Sequence, residues 1–154
     1  MIEILTVELN DAETISEIID SFSHEFLSSS KAHAASFFEL TSPKMEREYI
    51  CSPRYIFAKA SYQDTLIAFT AVRDTSHLFH LFVRKDYQGQ GLGRNLWLHV
   101  KELSFKAGNK GWFTVNAAIK SVSFYEKLGF IVESDTIEED GVLFIQMRLK
   151  SLTL

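Results

Sequence analysis

Apolar residues recur along the first third of the chain at two different spacings, and each spacing predicts its own element. Ile2, Ile4 and Val7 form a short apolar stretch that ends at Asn10-Asp11, which predicts a first strand. Asp11 then stands as the cap of a helix carrying Ile15, Ile18, Ile19 and Phe22 at helical spacing. The triplet Ser28-Ser29-Ser30 is expected to break that helix, and Ala34, Ala35, Phe38, Met45 and Tyr49 outline a second helical segment ending near Pro53. Residues 55–60 and 66–72 are runs rich in aromatic and branched side chains, separated by Ser61-Tyr62-Gln63-Asp64, the pattern of an antiparallel hairpin. Residues 78–83 make a third consecutive strand after Asp74-Thr75-Ser76. From Gly91 onward Leu92, Leu96, Val100, Leu103 and Ala107 lie along one helical face, with Gly108 placed to end it. Residues 112–115 are a buried strand, a further helix runs from about Ser121 to Gly129, and Ile131-Val132 and residues 142–149 are the last two strands, joined by the acidic turn Glu138-Glu139-Asp140-Gly141. The order is that of an α/β (α+β) chain. With no repeat, low-complexity tail or linker, residues 1–154 are expected to form a single domain.

Composition narrows the function classes. A length of 154 residues with 46% hydrophobic side chains supports a substantial core. A formal charge of −4 gives no general attraction for nucleic acid and mildly suits a cationic acceptor. Cys51 is the only cysteine, so no internal disulfide forms and a cytoplasmic location is expected. The first residues lack a basic region followed by a long apolar stretch, and no segment has the length to cross a bilayer, so neither export nor a membrane partner is expected.

The run Gln88-Gly89-Gln90-Gly91-Leu92-Gly93 lies between the strand at 78–83 and the helix at 94–107. Glycines at alternate positions let the backbone approach a ligand and turn its N–H groups to one point, and the helix adds unpaired donors and the positive end of its dipole. The expected occupant is a phosphate-like anion. A nucleotide P-loop requires Gly-Lys-Ser/Thr, whereas Gly91 is followed by Leu92 and Gly93 by Arg94. A dinucleotide fingerprint fits poorly, because the position of its third small residue holds Arg94 or Leu96.

What remains, Gln88-x-x-Gly91-x-Gly93, resembles the pyrophosphate loop of the GNAT (Gcn5-related) N-acetyltransferases. Upstream, residues 80–87 (His-Leu-Phe-Val-Arg-Lys-Asp-Tyr) are similar to that family's fourth strand and the turn after it. Downstream, Val115-Asn116-Ala117-Ala118 and Phe124-Tyr125-Glu126-Lys127-Leu128-Gly129-Phe130 resemble its fifth strand and its C-terminal signature. The resemblance covers roughly residues 66–149, and the first third is matched in outline.

The resemblance implies a mixed, splayed sheet of about six to seven strands flanked by helices, with acetyl-CoA as cosubstrate lying where the fourth and fifth strands part. Its pantetheine amides would pair with backbone of Leu81, Phe82 and Val83, and its pyrophosphate would sit on N–H groups of Gln88, Gly89, Gln90, Gly91, Leu92, Gly93 and Arg94. Asn116 and Phe124 would also contact the cofactor, and Tyr125 would protonate the departing thiolate. A base must take the proton of the attacking amine, for which His77 and His80 are the candidates. Three apart on a strand, they are expected on opposite faces. Residues His24, Glu25, His33, Phe37, Phe38 and Glu39 belong to the region that lines the acceptor pocket in this family. The reaction implied is direct acetyl transfer to a primary amine, with a small molecule favoured over a protein. A non-catalytic acyl-CoA-binding or sensing module is the alternative. His24 and His33 lack metal-ligand spacing, so no metal is expected, and Cys51 lacks a nucleophile motif. A homodimer is compatible with the apolar end Leu152-Thr153-Leu154. The acceptor itself is left open.

Overall fold

Runs of branched and aromatic residues broken by short polar pairs leave the backbone one outlet for its hydrogen bonds, a meander of adjacent strands. In the computed structural model, which describes residues 1–28 and 31–150 with side chains from 34 onward in the second stretch, Ile2–Leu5 (β1), Tyr55–Tyr62 (β2), Thr65–Arg73 (β3) and His77–Val83 (β4) pair antiparallel in sequence order. The β2–β3 turn consists of Gln63 and Asp64, both at positive φ (50° and 63°), as a two-residue hairpin requires. Trp112–Ala117 (β5) lies parallel to β4, and the last long strand is antiparallel to β5. The sheet order is β1-β2-β3-β4-β5-β8-β6, where β6 is Ile131–Val132, β8 is Val142–Lys150, and β7, Ile137–Glu139, pairs with the start of β8.

This sheet has eight strands, more than the six to seven expected. The addition is β7. Glu138 and Glu139 are strand residues paired with Leu143 and Val142, and the turn is confined to Asp140 and Gly141, with φ of 51° and 81°. Charged residues on a short edge strand read as a loop because they have no apolar alternation.

Helices cover both faces. Ala12–Ser21 (α1), Lys31–Leu40 (α2) and Pro43–Cys51 (α3) belong to one side, where Ile15, Ile18, Ile19 and Phe22 pack on Phe69, with Phe82 against them. Leu92–Lys106 (α4) and Val122–Lys127 (α5) cover the other. There Leu92 and Leu96 rest on Ala58, Ala60, Ile67 and Ala68, and Trp97 and Val100 join Val72, Leu78, Phe113 and Val115. The small residues of β2 and β3 let α4 approach closely. None of the described helices is long and apolar enough to cross a membrane.

Three local expectations change in the N-terminal third. The first helix ends at Ser21, before the serine triplet, of which Ser29 and Ser30 lie outside the described residues, as do Leu152, Thr153 and Leu154. The second helical segment is two helices, because the Ser42 hydroxyl accepts from the Met45 N–H (3.3 Å) and Pro43 starts a new first turn. Asp11 precedes α1 without a side-chain cap bond to the helix. Its carboxylate accepts instead from the Glu8 N–H (2.8 Å) and from Lys59 of β2 (2.7 Å). The Lys59 contact holds the start of α1 to the sheet, while the Ser16 hydroxyl donating to the Thr41 carbonyl (2.7 Å) ties α1 to the turn between α2 and α3, and the Arg47–Glu13 ion pair ties it to α3.

Gly129 closes α5 at φ +101°, and a Cβ there would lie 3.1 Å from Leu149 Cδ1 of β8. Gly129→Ala is therefore expected to lower stability by about 1–2 kcal/mol from backbone strain alone, read as a lower urea midpoint at unchanged m-value; a parental midpoint would contradict it.

Candidate active site

The contact between β4 and β5 is short. Only His77 with Thr114 and Leu78 with Val115 are in register, supplemented by the Thr114 N–H donating to the Ser76 carbonyl (2.9 Å). Asn109 locks this closed end: its amide donates to the Thr75 and Trp112 carbonyls (2.7 and 2.9 Å) and its oxygen accepts from the Gly111 N–H. Beyond Leu78 the strands part, so the edge of β4 from Phe79 to Val83 has no strand partner on that side, while Leu81, Phe82 and Val83 remain paired with Thr70, Phe69 and Ala68 of β3 on the other. An edge of this kind is a template for an extended ligand bearing amides.

At the vertex β4 carries a bulge. Ala71 pairs with His80 and Val72 with Leu78, so Phe79 is the extra residue. The bulge overturns the expectation that His77 and His80 face opposite ways. His80 and Phe79 both point toward α3, with ring centroids 4.2 Å apart, whereas Leu78 enters the cluster under α4. His77 bonds Thr114 on the same α3 side, since the neighbours of Thr114, Phe113 and Val115, are buried under α4 and α5.

Past the open end, Gly89 and Gly91 adopt φ of 79° and 80°, and a Cβ at either would meet nothing within 4 Å. The need for glycine here lies in the backbone conformation. Gly91 caps α4 without a side-chain bond, and among the described residues the N–H groups from Gly89 to Arg94 have no acceptor. The Gln88 N–H differs from the expectation, being engaged with the Lys85 carbonyl at 3.3 Å, and its side-chain amide donates to the Val83 carbonyl (2.9 Å), which fixes the loop to the strand end. Gln90 and Arg94 are exposed, and Leu92 anchors the helix start in the core. At Gly93 a Cβ would stand 3.2 Å from Phe124 Cζ, so the missing side chain brings α4 onto α5. Beside the loop, an open depression of about 290 Å³ is lined by Ser21, Phe22, Arg84, Lys85 and Asp86.

Tyr125 lies on α5 in the cluster with Leu78, Val115 and Ala117, against Phe124 and Phe130. Its hydroxyl has no hydrogen-bond partner among the described residues, and burial pushes the phenol above its ordinary range, so the side chain holds its proton. Asn116 is exposed on β5, opposite Gln146 of β8. His77 accepts or donates at Thr114 Oγ1 (2.8 Å), and burial first, then the Arg73 charge, hold its imidazole down to about 4. A base that weak is poorly matched to an alkylammonium. His80 is different: Nε2 lies 3.1 Å from both oxygens of Glu46, a residue of α3 with 0% exposure. Of the acceptor-wall residues, Phe37 packs on Phe26, Phe38 and Glu39 are exposed, and the His33 side chain lies outside the described residues. Among the described residues no group of three or more His, Cys, Asp and Glu could hold a metal ion.

The GNAT acetyltransferase domain model matches residues 20–151. The chain belongs to the GNAT N-acetyltransferase family. It is 33% identical over 105 residues to the [ribosomal protein bS18]-alanine N-acetyltransferase of Escherichia coli K12, a match spanning 65% of this chain and 68% of that protein. Among solved structures, the PaiA N-acetyltransferase of Thermoplasma acidophilum in complex with coenzyme A is similar over 97% of this chain and 99% of its own, with TM-score 0.76 and 24% identity. An aminoglycoside 6′-N-acetyltransferase complexed with coenzyme A is similar over 96% of each chain, with TM-score 0.69 and 14% identity. The splayed strands and the glycine loop are thus those of a GNAT-type, acetyl-CoA-dependent N-acyltransferase.

Sequence reasoning missed Glu46. The signal was present, because Glu46 falls three and four residues before Tyr49 and Ile50, inside the stripe that faces the sheet, and a carboxylate there is an anomaly. Thr114 gave no comparable signal, since threonine is ordinary in a strand.

The depressed His77 sets a pH dependence. The unfolded state takes up its proton near the ordinary value of about 6.5, the folded state near about 4. Between those values the unfolded chain binds more protons, so the contribution is complete above the upper value and is lost as pH falls through the window. Denaturant unfolding at pH 7 and pH 5 should show that loss in the parent and a smaller one in His77→Gln.

Proposed function

We propose that this GNAT enzyme transfers the acetyl group of acetyl-CoA directly to the primary amine of a small molecule, within a ternary complex, in the cytoplasm. The observation that carries the reading is the unpaired edge of β4 running from the Phe79 bulge into the unpaired N–H groups of residues 89–94. In this reading Leu81, Phe82 and Val83 hold the pantetheine arm by backbone, the loop and the start of α4 hold the pyrophosphate, and Asn116 and Phe124 border the arm from β5 and α5. Tyr125, on the α4/α5 side of the gap, donates its proton to the leaving thiolate. His80, on the α3 side, accepts the proton of the amine, and His77 serves the closed end as a structural tie.

A small acceptor is favoured by the segment 26–28. The Phe26 ring reaches Phe82 of β4 at 6.4 Å, while the Phe26 carbonyl accepts from Leu143 of β8 (2.7 Å) and the Ser28 N–H donates to the Gly141 carbonyl (2.7 Å). The chain thereby crosses from β4 to β8 on the α3 face, which limits the approach of a folded protein surface. The named relatives give the amines to try: a peptide with N-terminal alanine, and an aminoglycoside.

Calorimetry with acetyl-CoA is expected to show saturable binding, absent for NADH. Gly91→Ala, which forces a side chain into left-handed backbone, should weaken that binding roughly tenfold through about 1–2 kcal/mol of strain. No binding by the folded parent overturns the reading. Tyr125→Phe should lower kcat by about 100-fold with little change in acetyl-CoA affinity; an unchanged kcat in single-turnover experiments removes the general-acid role.

A further inference from the structure

We infer that Glu46 is a positioning residue for His80, holding the imidazole with its Nε2–H on the carboxylate and its Nδ1 free to accept the proton of the acceptor amine. This rests on the acetyltransferase reading above and assigns a part of its acceptor side that the glycine loop and Tyr125 leave undefined.

The geometry is specific. Both Glu46 oxygens lie 3.1 Å from Nε2, and the carboxylate has no other hydrogen-bond partner among the described residues. A neutral imidazole carries one N–H, and a carboxylate facing Nε2 selects the tautomer that puts it there. Nδ1 is then the acceptor, and it has no partner among the described residues, in a residue that retains 6% exposure. The rings of Phe57, Phe69, Phe79 and Phe82 surround the imidazole with centroids 4.2–6.2 Å away and fix its plane. The backbone is fixed as well, since the Thr70 hydroxyl donates to the His80 carbonyl (2.9 Å). His80 stands immediately after the bulge, where β4 has just left β5, so the free nitrogen belongs to the vertex of the gap.

Other titratable groups on this face are otherwise engaged. Tyr49 of α3 donates to the Leu40 carbonyl (2.7 Å) and its phenol is pushed up to about 12 by burial and then by Glu46. Tyr55 of β2 packs against the rings of Tyr49 and Phe79, Arg73 of β3 lies over the Phe79 ring, and His77 of β4 is bonded to Thr114. The α1 side chains in the adjoining cluster, Ile15, Ile18, Ile19 and Phe22, are apolar. A tie between α3 and the sheet needs no ionisable pair, because apolar side chains of the same volume perform it at least as well. A carboxylate behind an imidazole performs what apolar packing cannot: it fixes the tautomer and orientation of the ring and leaves the other nitrogen as the acceptor.

The proton and electron balance closes. The bound ammonium gives one proton to His80 Nδ1, which passes it to water, and the freed lone pair forms the C–N bond at the thioester carbonyl. The adduct sheds its second N–H proton to water, the C–S bond breaks with its electron pair on sulfur, and the thiolate takes the Tyr125 proton. Tyr125 regains a proton from solvent, so the net products are the amide, the free thiol and one proton.

The test is Glu46→Gln, which keeps the volume and an oxygen for Nε2–H but removes the charge. Thiol release is followed with acetyl-CoA and a panel of an N-terminal-alanine peptide, kanamycin and spermidine. Expected are a kcat about tenfold or more below the parent, a KM for acetyl-CoA within about twofold of the parent, and a pH profile whose acid limb differs from the parent's. Glu46→Asp should restore the limb toward the parent, and His80→Ala should abolish it. A Glu46→Gln enzyme with parental kcat and limb overturns the inference while the acetyltransferase reading stands. Failure of the acetyl-CoA-binding parent to acetylate any amine of the panel overturns both. ¹⁵N spectra of histidine-labelled parent supply a check that needs no variant: Nε2–H with bare Nδ1 at His80 is expected, and the opposite tautomer overturns the assignment.

Discussion

The brevity of the β4–β5 contact governs the rest of the molecule. A parallel pair that continued to Val83 would consume the backbone groups that now line the gap, and it would bury the vertex under side chains of both strands. What limits the contact is packing at either end. The Asn109 amide, the Ser76–Thr114 backbone bond and the His77–Thr114 side-chain bond hold one end shut. At the other end β5 is committed along its whole length to β8, and β4 is committed to β3, so each strand follows a different partner away from the vertex. The right-handed twist of a sheet then separates them without strain.

The Glu46–His80 pair lies against the usual economy of folding. Removing a carboxylate from water is expensive, and the attraction of its partner rarely does more than offset that cost. Glu46 is fully buried in a helix whose other inward residues are aromatic or aliphatic, and the sheet beneath it is a floor of phenylalanine rings. Two further ties hold this region to α1, which is docked on the sheet: Arg47 of α3 pairs with Glu13, and Ser16 donates to Thr41 in the turn that leads into α3. The position of α3 therefore does not depend on the Glu46–His80 contact alone, and that contact falls beside the bulge at the vertex.

Most of the architecture was legible because it rests on local rules. Alternation, the polar break at Ser61-Tyr62-Gln63-Asp64, of which the structure keeps only Gln63 and Asp64 as the turn, and the glycine-flanked start of α4 each identify an element from its own residues. Apart from the break at Ser42-Pro43, which is local, the main misreadings are decided by partners distant in sequence. β7 exists only because β8 offers an edge to Glu138 and Glu139, and Asp11 leaves its capping role because Lys59 of β2 stands beside it. The same holds at the site. The glycine loop and Tyr125 belong to contiguous motifs, so their positions could be read directly. The relation between His77 and His80 depends on whether β3 skips a residue of β4, and no feature of residues 77–80 alone announces that bulge. Glu46 lies thirty-four residues from His80 and becomes meaningful only when α3 folds over the strand.

The two faces of the gap carry different chemistry, and this bears on the order of bond making and breaking. Tyr125 belongs to the layer of α4 and α5, His80 to the layer of α3, and β4 and β5 diverge between them. In the roles proposed for them, a proton donor on one side and an acceptor on the other suit a reaction in which the nucleophile enters from one face of a thioester carbonyl and the thiolate departs toward the other, with both reactants bound at once. A covalent acyl-enzyme would instead need a protein nucleophile at the vertex. Cys51, the one cysteine of the chain, is exposed at the end of α3, and its neighbours in sequence form no nucleophile motif. With Tyr125 as the proposed acid and His80 as the proposed base, their placement on opposite layers favours one direct displacement over two successive ones.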